Sequence, residues 1–506
     1  MHGFHDSDTP APTSNDAIES GPWYKSLTRY HWFVFIVSAL GWLFDCLDQQ
    51  LFILARPSAM EDLLKSNYSD PKALFEATNF YGDIATSVFI AGWATGGLIF
   101  GMLGDRIGRA KTMMLTILIY SACTGLSALS QTVYDFAFFR FLTGLGVGGE
   151  FAVGVALVAE VMPAVARPQA LASLQALSAV GNVTAALINM GLGLAEGEGL
   201  VSSPWRIMFC IGALPAVLSL VIRSKLKEPE SWVQAQASNA TSEKKLGSYT
   251  ELFADPTWRK HALLGLVLAC SGVIGLWAIG FYAPDLIRKV QEKPITAAIY
   301  AEEIAASKSP EDTVLLTTLR DAPADAQLTE SQAAMKKTVS AKIKGRTKLY
   351  TGLTSIAQNV GAFFGMFGFG LLAQRIGRKP SFAIALIAAF LSTAAVFWFM
   401  QDLWQIFILA PIMGFCQLSL FAGYAMYFPE LFPTRLRSTG TSFCYNVGRF
   451  VAAAGPLVKI WINSMITEPD PVLKIRYGGV AMCGVFLVGL LVLPFLPETK
   501  GKPLPE

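Results

Sequence analysis

Charge is what this chain has least of. Asp, Glu, Lys and Arg make up 15% of its 506 residues, against roughly 25% in soluble domains. So few charges could not coat a soluble fold of this length, so most of the surface is expected to face lipid. Histidine is scarcer still. The four histidines stand at positions 2, 5, 31 and 261, outside any helix interior, which argues against a histidine proton relay or metal site. The seven cysteines (Cys46, Cys123, Cys210, Cys270, Cys416, Cys444 and Cys483) fall in apolar stretches with no CxxC spacing. A disulfide framework in the loops and a thiolate metal centre are therefore excluded, and no cofactor is expected. The net charge of +3 comes without a basic patch interleaved with aromatics, so nucleic acid is not an expected partner. HExxH, a nucleophile elbow and a His-rich cluster are all missing, so an enzyme is not expected. The first thirty residues are polar and carry Pro10, Pro12 and Pro22; they do not read as a signal peptide.

What is abundant is apolar sequence: 53% of residues are hydrophobic and the mean hydropathy is +0.45. Apolar runs long enough to cross about 30 Å of hydrocarbon recur along the chain. Their centres lie near residues 43, 93, 120, 147, 181, 214, 273, 361, 390, 417, 450 and 486. The expected fold is an all-α membrane protein of two six-helix bundles, residues 30–223 and 261–497. A disordered tail (1–29) precedes them, a central loop (224–260) joins them, and a short tail (498–506) follows. Basic residues gather in alternate short loops: Arg106, Arg109 and Lys111; Arg167; Arg223, Lys225 and Lys227; Arg375, Arg378 and Lys379; Arg435 and Arg437. The positive-inside bias then places these loops, the central loop and both termini in the cytoplasm. An Ala-, Lys- and Glu-rich insertion at 289–347 falls outside by the parity of the spans. It reads as a partly helical cap.

Two motifs repeat. Gly101-Met-Leu-Gly-Asp-Arg-Ile-Gly-Arg109 returns as Gly370-Leu-Leu-Ala-Gln-Arg-Ile-Gly-Arg378, an offset of 269. Glu160-x-x-Pro163-x-x-x-Arg167 returns as Glu430-x-x-Pro433-x-x-x-Arg437, an offset of 270. Two motifs sharing nearly one offset indicate duplication, the way many transporters are built. Together with Pro229-Glu230-Ser231 and Pro497-Glu498-Thr499-Lys500-Gly501, the motifs resemble those of the major facilitator superfamily and its sugar-porter-like branch. The resemblance covers nearly the whole chain apart from the tail and the insertion. It implies a monomeric transporter in the plasma (inner) membrane, working on a small molecule by alternating access.

The chemistry of these residues can be stated on its own. Gly101 and Gly108 allow a tight turn and close helix approach. Asp105 is expected at the start of helix 3, where a carboxylate can meet the helix N-terminus and a neighbouring guanidinium. Glu160 with Arg437, and Glu430 with Arg167, are expected to pair on the cytoplasmic rim. By resemblance, such pairs hold the outward-open state and break when the inside opens. Gln374 stands where the second copy of the turn would carry its acid, so that half of the latch should be weaker.

A charge at the bilayer centre costs about 2.5–3.5 kcal/mol on insertion scales, so each one in a span needs a reason. Asp45 and Asp48 lie in helix 1, Arg140 and Glu150 in helix 4, and Arg449 in helix 11. Counting 1.5 Å per residue puts Asp45 ~22 Å and Asp48 ~27 Å above Tyr30, and Arg140 ~30 Å above Glu160. The same count leaves Glu150 at ~15 Å and Arg449 at ~18 Å. Asp45 or Asp48 with Arg140 reads as a protonation switch, because neutralising a buried acid removes its desolvation penalty; the alternative is a permanent structural pair. Arg449 is the candidate for gripping an anionic substrate with two hydrogen bonds, unless Glu150 is its internal partner. Gln175, Asn182, Gln358, Asn359, Gln417, Tyr424 and Asn446 are polar candidates for the cavity wall. Each of them alone would equally serve as a helix–helix hydrogen bond. Gly144, Gly146, Gly148 and Gly149 superficially suggest a phosphate loop, but inside a span they read as close helix packing.

The sugar-porter resemblance fails at its sugar contacts. Helix 7 ends Ala278-Ile-Gly-Phe-Tyr-Ala-Pro284 as in those porters. The positions that hydrogen-bond hydroxyls there hold Ser271, Gly272 and Trp277, and an expected tryptophan is Ala425. Gln175 does match the family's helix 5 glutamine. A hexose would leave many hydroxyls unpaired, at about 1–3 kcal/mol each. The paired acids of helix 1 and the helix 4 run look more like the proton symporters of sialate, monocarboxylates and aromatic acids, which implies protons as a second cargo. The expectation is proton symport of a small organic anion. A sugar or polyol transporter and a non-transporting nutrient sensor are the competing readings.

Overall fold

Backbone polar groups buried in hydrocarbon can be satisfied only within a helix or a closed barrel, and the long apolar runs among the described residues are mostly helical. The computed structural model describes residues 23–197, 200–217, 225–239, 246–280, 283–307, 309–321, 329–453, 465–468 and 470–505. The tail 1–22, Arg223, and Phe281 and Tyr282 of the helix 7 motif lie outside the described residues, as does the side chain of Trp277. The first half holds α1 (Arg29–Leu64), α2 (Pro71–Ile107), α3 (Arg109–Ser127), α4 (Val133–Val161), α5 (Arg167–Gly197) and α6 (Pro204–Gly212). Between the halves come α7 (Glu230–Asn239) and α8 (Tyr249–Ala254). The second half holds α9 (Pro256–Gly280), α10 (Ala283–Ala306), α11 (Pro310–Asp321), α12 (Glu330–Ile376), α13 (Arg378–Phe399), α14 (Leu403–Leu431), α15 (Arg437–Ala453), α16 (Pro471–Cys483) and α17 (Val485–Val492).

Nine helices among the described residues are long and apolar enough to cross a membrane. The third expected span is α3, 19 residues long and less apolar. The sixth and eleventh, centred at 214 and 450, run into residues outside those described.

Small residues let the helices close on one another. A Cβ on Gly92 or Gly96 of α2 would overlap the carbonyls of Phe141 or Leu145 in α4. Reciprocally, one on Gly144 or Gly148 would overlap Phe89 O or Trp93 O. The second half repeats this contact: Gly361 and Gly365 of α12 meet Pro411 O and Phe415 O of α14, and Gly414 meets Gln358 O. Gly92 and Gly96 precede Gly361 and Gly365 by the offset of the first repeated motif, and Gly144 precedes Gly414 by that of the second. The duplication therefore extends to backbone contact.

The described residues of the insertion are largely helical, and its last helix is continuous with the span that follows it. The same α12 that ends at the second Gly-Arg turn begins at Glu330 and runs for 47 residues, so at 1.5 Å per residue it is about 70 Å long. α10, α11 and the start of α12 share a small core of Ile295, Ile299, Tyr300, Leu316, Leu319 and Val339. Lys342 to Glu303 (2.6 Å) and Arg346 to Glu302 (2.9 Å) tie α12 to α10. This cap sits at the end of the bundle opposite the Gly-Arg turns.

Packing at Gly148 tolerates no side chain, whereas Gly191 of α5 has nothing within 4 Å. Gly148→Ala is expected to cost about 1–3 kcal/mol through overpacking and to lower the melting temperature of the purified protein. Gly191→Ala should hold or raise it, by up to about 1 kcal/mol. Equal melting of the two variants would contradict the helix contact described.

Candidate functional site

The two Gly-Arg turns form one end of the molecule, and there the halves are bolted together. Gly108 has a φ of 112° and Gly377 a φ of 100°, a region that favours glycine, and each turn starts a new helix. Arg109 is fully buried and serves both halves. It pairs with Asp105 (2.9 Å) and Glu160 (2.9 Å) and donates to Thr434 O (2.7 Å) of the second half. Glu160 also receives Arg437 at 2.8 Å across the interface. Arg437 in turn donates to Pro505 O at 3.0 Å.

Asp105 meets a helix N-terminus, but not the one expected. Its carboxylate accepts from Ser438 N (3.1 Å), Thr439 N (2.8 Å) and the Thr439 hydroxyl (2.6 Å), at the start of α15 in the other half. Unpaired N–H groups and the helix dipole both favour an anion there. The start of α3 is capped instead by Glu228, which accepts from Ala110 N and Lys111 N. Its counterpart is Glu498, which accepts from Arg378 N and Lys379 N at 3.0 Å each. Glu228 and Glu498 are separated by the same offset as Glu160 and Glu430, so the repeat partner of Glu498 is Glu228 and not Glu230. Burial would raise the Glu498 carboxyl, but bonds from the backbone of Arg378, Lys379, Lys500 and Thr499 outweigh it and hold the group below its usual range. The cap is therefore intact at neutral pH, and its stabilisation is lost as pH falls through that lowered value.

Glu430 pairs with Arg378 (2.7 Å), in the second half's copy of the Arg109–Glu160 contact. It does not pair with Arg167, whose guanidinium donates to Met162 O at 3.3 Å. The reason is competition: the Arg378 fork makes both of its bonds to Glu430 and Thr499 adds a third. Gln374 makes a bond to Val165 O (3.1 Å) in place of an ion pair. Arg375 lends its carbonyl to Lys500 (2.7 Å). The central segment straps the same end: Trp232 donates to Asp105 O (2.7 Å), Arg106 to Gly247 O (3.1 Å), and Gly247 N to Arg435 O (2.9 Å). Gly101 lies against Ser442 of α15, whose hydroxyl bonds Gly97 O.

Inside the first half, Arg140 pairs with Asp48 and not Asp45, at 3.8 Å with both side chains fully buried. Ser127 (2.7 Å) and Thr124 (3.3 Å) accept from the same guanidinium. The rings of Phe52, Phe136 and Phe209 lie 4.6–5.9 Å from it. Asp45 instead faces Glu150: the two carboxyls are within hydrogen-bonding reach of one another. Counting residues had set them about 7 Å apart in depth. That count assumes upright helices with a common zero of depth.

Arg449 lies between the rings of Trp93 (4.0 Å) and Tyr445 (4.3 Å) and bonds Asn446 Oδ1. Its Nε has no partner among the described residues, and Glu150 is not paired with it. Nearby, Trp42, Phe151 and Tyr445 form a ring column with centroids 4.5 and 4.2 Å apart, joining α1 and α4 to α15. Asn182 donates to Asn359 (3.0 Å) across the two halves, beside half-buried Gln358. Gln175 is buried with Oε1 unpartnered among the described residues. Gln417 donates to Thr393 (2.7 Å) and Tyr424 to Leu268 O (2.9 Å), both within the second half. These two therefore tie helices together, and their donors do not face the partner half. Asn446 bonds Ser442 (3.0 Å) as well as Arg449. Sequence reasoning missed Glu228, Trp93, Thr124 and Ser127. Of these, Glu228 was findable from the repeat offset.

Comparison with known proteins agrees with this geometry. Residues 50–246 match the family model described as sugar (and other) transporter, and residues 334–506 match that of the major facilitator superfamily. The chain is 28% identical over 486 residues to a Haemophilus influenzae protein assigned to metabolite transport (95% of this chain, 99% of that one). It is 26% identical to the sialic acid transporter NanX of Escherichia coli (87% and 89%). The cis,cis-muconate transport protein of Acinetobacter baylyi is also 26% identical (87% and 92%). Among solved structures, the fold is similar to the proton:xylose symporter XylE, with a TM-score of 0.59 at 17% identity (94% and 98%). It is also similar to the human organic anion transporter MFSD10, at 0.55 and 14% (92% and 100%).

Glu160→Gln would leave Arg109 and Arg437 buried and short of a carboxylate, which is expected to cost the bolted end about 3–5 kcal/mol. Hydrogen exchange at Ser438 and Thr439 should accelerate in that variant. Unchanged exchange across residues 434–442 would show that Glu160 does not hold the halves together.

Proposed function

Because this chain belongs to the major facilitator superfamily, we propose that it is a proton symporter of a small organic anion, working by alternating access. One observation carries the anion: Arg449. A guanidinium buried to 4% exposure, with two aromatic faces, the Asn446 amide oxygen and the Tyr445 carbonyl around it, has no carboxylate in direct contact among the described residues. A substrate carboxylate would supply that contact, and the flanking rings suit an unsaturated or aromatic body. Gln175 and the Asn182–Asn359 pair are the polar groups left to orient the rest of the substrate. The named cargoes of two relatives, sialic acid and cis,cis-muconate, are both organic acids, and XylE, of similar fold, is a proton:xylose symporter. Asp45, Asp48, Arg140 and Glu150 are the buried ions from which the proton site is drawn. Gly101, Asp105, Arg106, Gly108, Arg109, Glu160, Arg167, Arg375, Arg378, Glu430 and Arg437 form the gate. On this reading the bolted end is cytoplasmic, both termini lie inside, and the structure is closed towards the cytoplasm.

A sugar is disfavoured at the positions that would read it. Ser271 bonds Leu268 O within its own helix (2.6 Å), and Gly272 packs against the Tyr424 hydroxyl.

The test is uptake into liposomes holding the purified protein, with labelled sialate, cis,cis-muconate, benzoate and xylose. A monovalent anion entering with one proton is electroneutral, so each pH unit supplies ~1.4 kcal/mol and membrane voltage supplies none. One of the acids should accumulate when the interior is alkaline, and Arg449→Gln should abolish its binding. Accumulation of xylose alone, or uptake that follows voltage but not pH, would overturn the proposal.

A further inference from the structure

The proposed symport needs a proton site, and two sets of carboxyls compete for that role. Asp48 has an opposite charge beside it in Arg140, whose other nitrogens are held by Ser127 and Thr124. Asp45 and Glu150 face each other instead of a cation. Each is 1% exposed, and among the described residues the Tyr120 hydroxyl beside Asp45 is the one hydrogen-bond donor that faces the pair. Space is cleared for their contact, since a Cβ on Gly41, one turn before Asp45, would overlap Glu150 Oε1. Two carboxyls in contact, with no cation paired to either and no water-facing side, cannot both carry charge.

We propose that Asp45 and Glu150 share a proton between helices α1 and α4, and that this pair, not Asp48 with Arg140, takes up the transported proton. Resting on the symport reading, this assigns its coupling step. With one shared proton the pair carries a single negative charge, which balances the guanidinium of Arg449. The ring column joins the two: Trp42 lies three residues before Asp45, Phe151 follows Glu150, and Tyr445 lies one turn before Arg449. The other titratable groups facing the pair are Asp48, Tyr120 and Cys46. When an anion binds Arg449 the pocket gains a negative charge, and a second proton on the pair restores the balance. One carboxylate becomes a carboxylic acid, and no other bond changes. The coupling of one proton to one monovalent anion then follows from charge conservation in a dry site. Asp48 and Arg140 stay ionised throughout and anchor α1 to α4.

Two measurements test this. Infrared spectra of the purified full chain at neutral pH, without substrate, should show a carboxylic-acid carbonyl band that weakens in Asp45→Asn and in Glu150→Gln. Gly41→Ala keeps both acids but pushes their carboxyls apart, and it should shift the same band. In liposomes, the wild type should concentrate the anion about tenfold per pH unit. Asp45→Asn and Glu150→Gln should equilibrate it without accumulation while retaining counterflow exchange. If the band survives both substitutions, or accumulation persists in both, the shared proton is not the coupled one, and symport itself still stands. Wild-type uptake that ignores pH would instead end the symport reading, and the infrared band would still decide whether the pair holds a proton. Loss of the band without loss of accumulation would overturn the coupling role.

Discussion

An ion removed from water costs several kcal/mol even after its surroundings relax. The structure is arranged around that cost. Arg109, Arg140 and Arg437 are wholly buried, and each has found at least one carboxylate. Where the fit is tight, as in the fork of Arg378 on Glu430, the result is a fixed joint. Where it is loose or missing, as at Arg449 or between Asp45 and Glu150, the site is left waiting for a charge from outside. Grading the buried ions by how well they are satisfied separates scaffold from working parts more sharply than residue type does.

Much of the scaffold was legible in the chain itself. The offset that relates the Gly-Arg turns also relates Gly92 to Gly361 and, to within one position, Glu228 to Glu498. One duplication thus fixes turn, helix contact and cap together. Long-range partners were harder. Asp105 caps a helix that belongs to the other half of the chain, and nothing local in its neighbourhood names that target. The Glu430–Arg167 pairing was wrong because a nearer competitor, Arg378, occupies the acid first. The meeting of Asp45 and Glu150 was hidden by a depth count that assumes upright helices sharing one zero. Gln417 and Tyr424 could not be distinguished from cavity residues until their partners were seen, because a buried polar side chain reads the same in either role.

The two halves are copies in backbone contact but not in charge. Asp105 reaches across to α15 with three bonds, while Gln374, at the matching place, reaches only one carbonyl. Loss of that acid leaves the first half as the donor of the cross-interface anchor. The second half contributes the receiving helix, the strap of residues after Pro497, and Arg449. A duplicated fold has in this way acquired division of labour, with proton chemistry expected on one side and anion recognition expected on the other.

The unbroken α12 has a mechanical meaning. One rigid rod of about 70 Å runs from the Gly377 turn, through the bundle, into the small core of α10 and α11. Tilting the second half by a few degrees at the turn would sweep that core sideways through several ångströms. The cap would then act as a pointer, its position in space reporting which way the carrier is open.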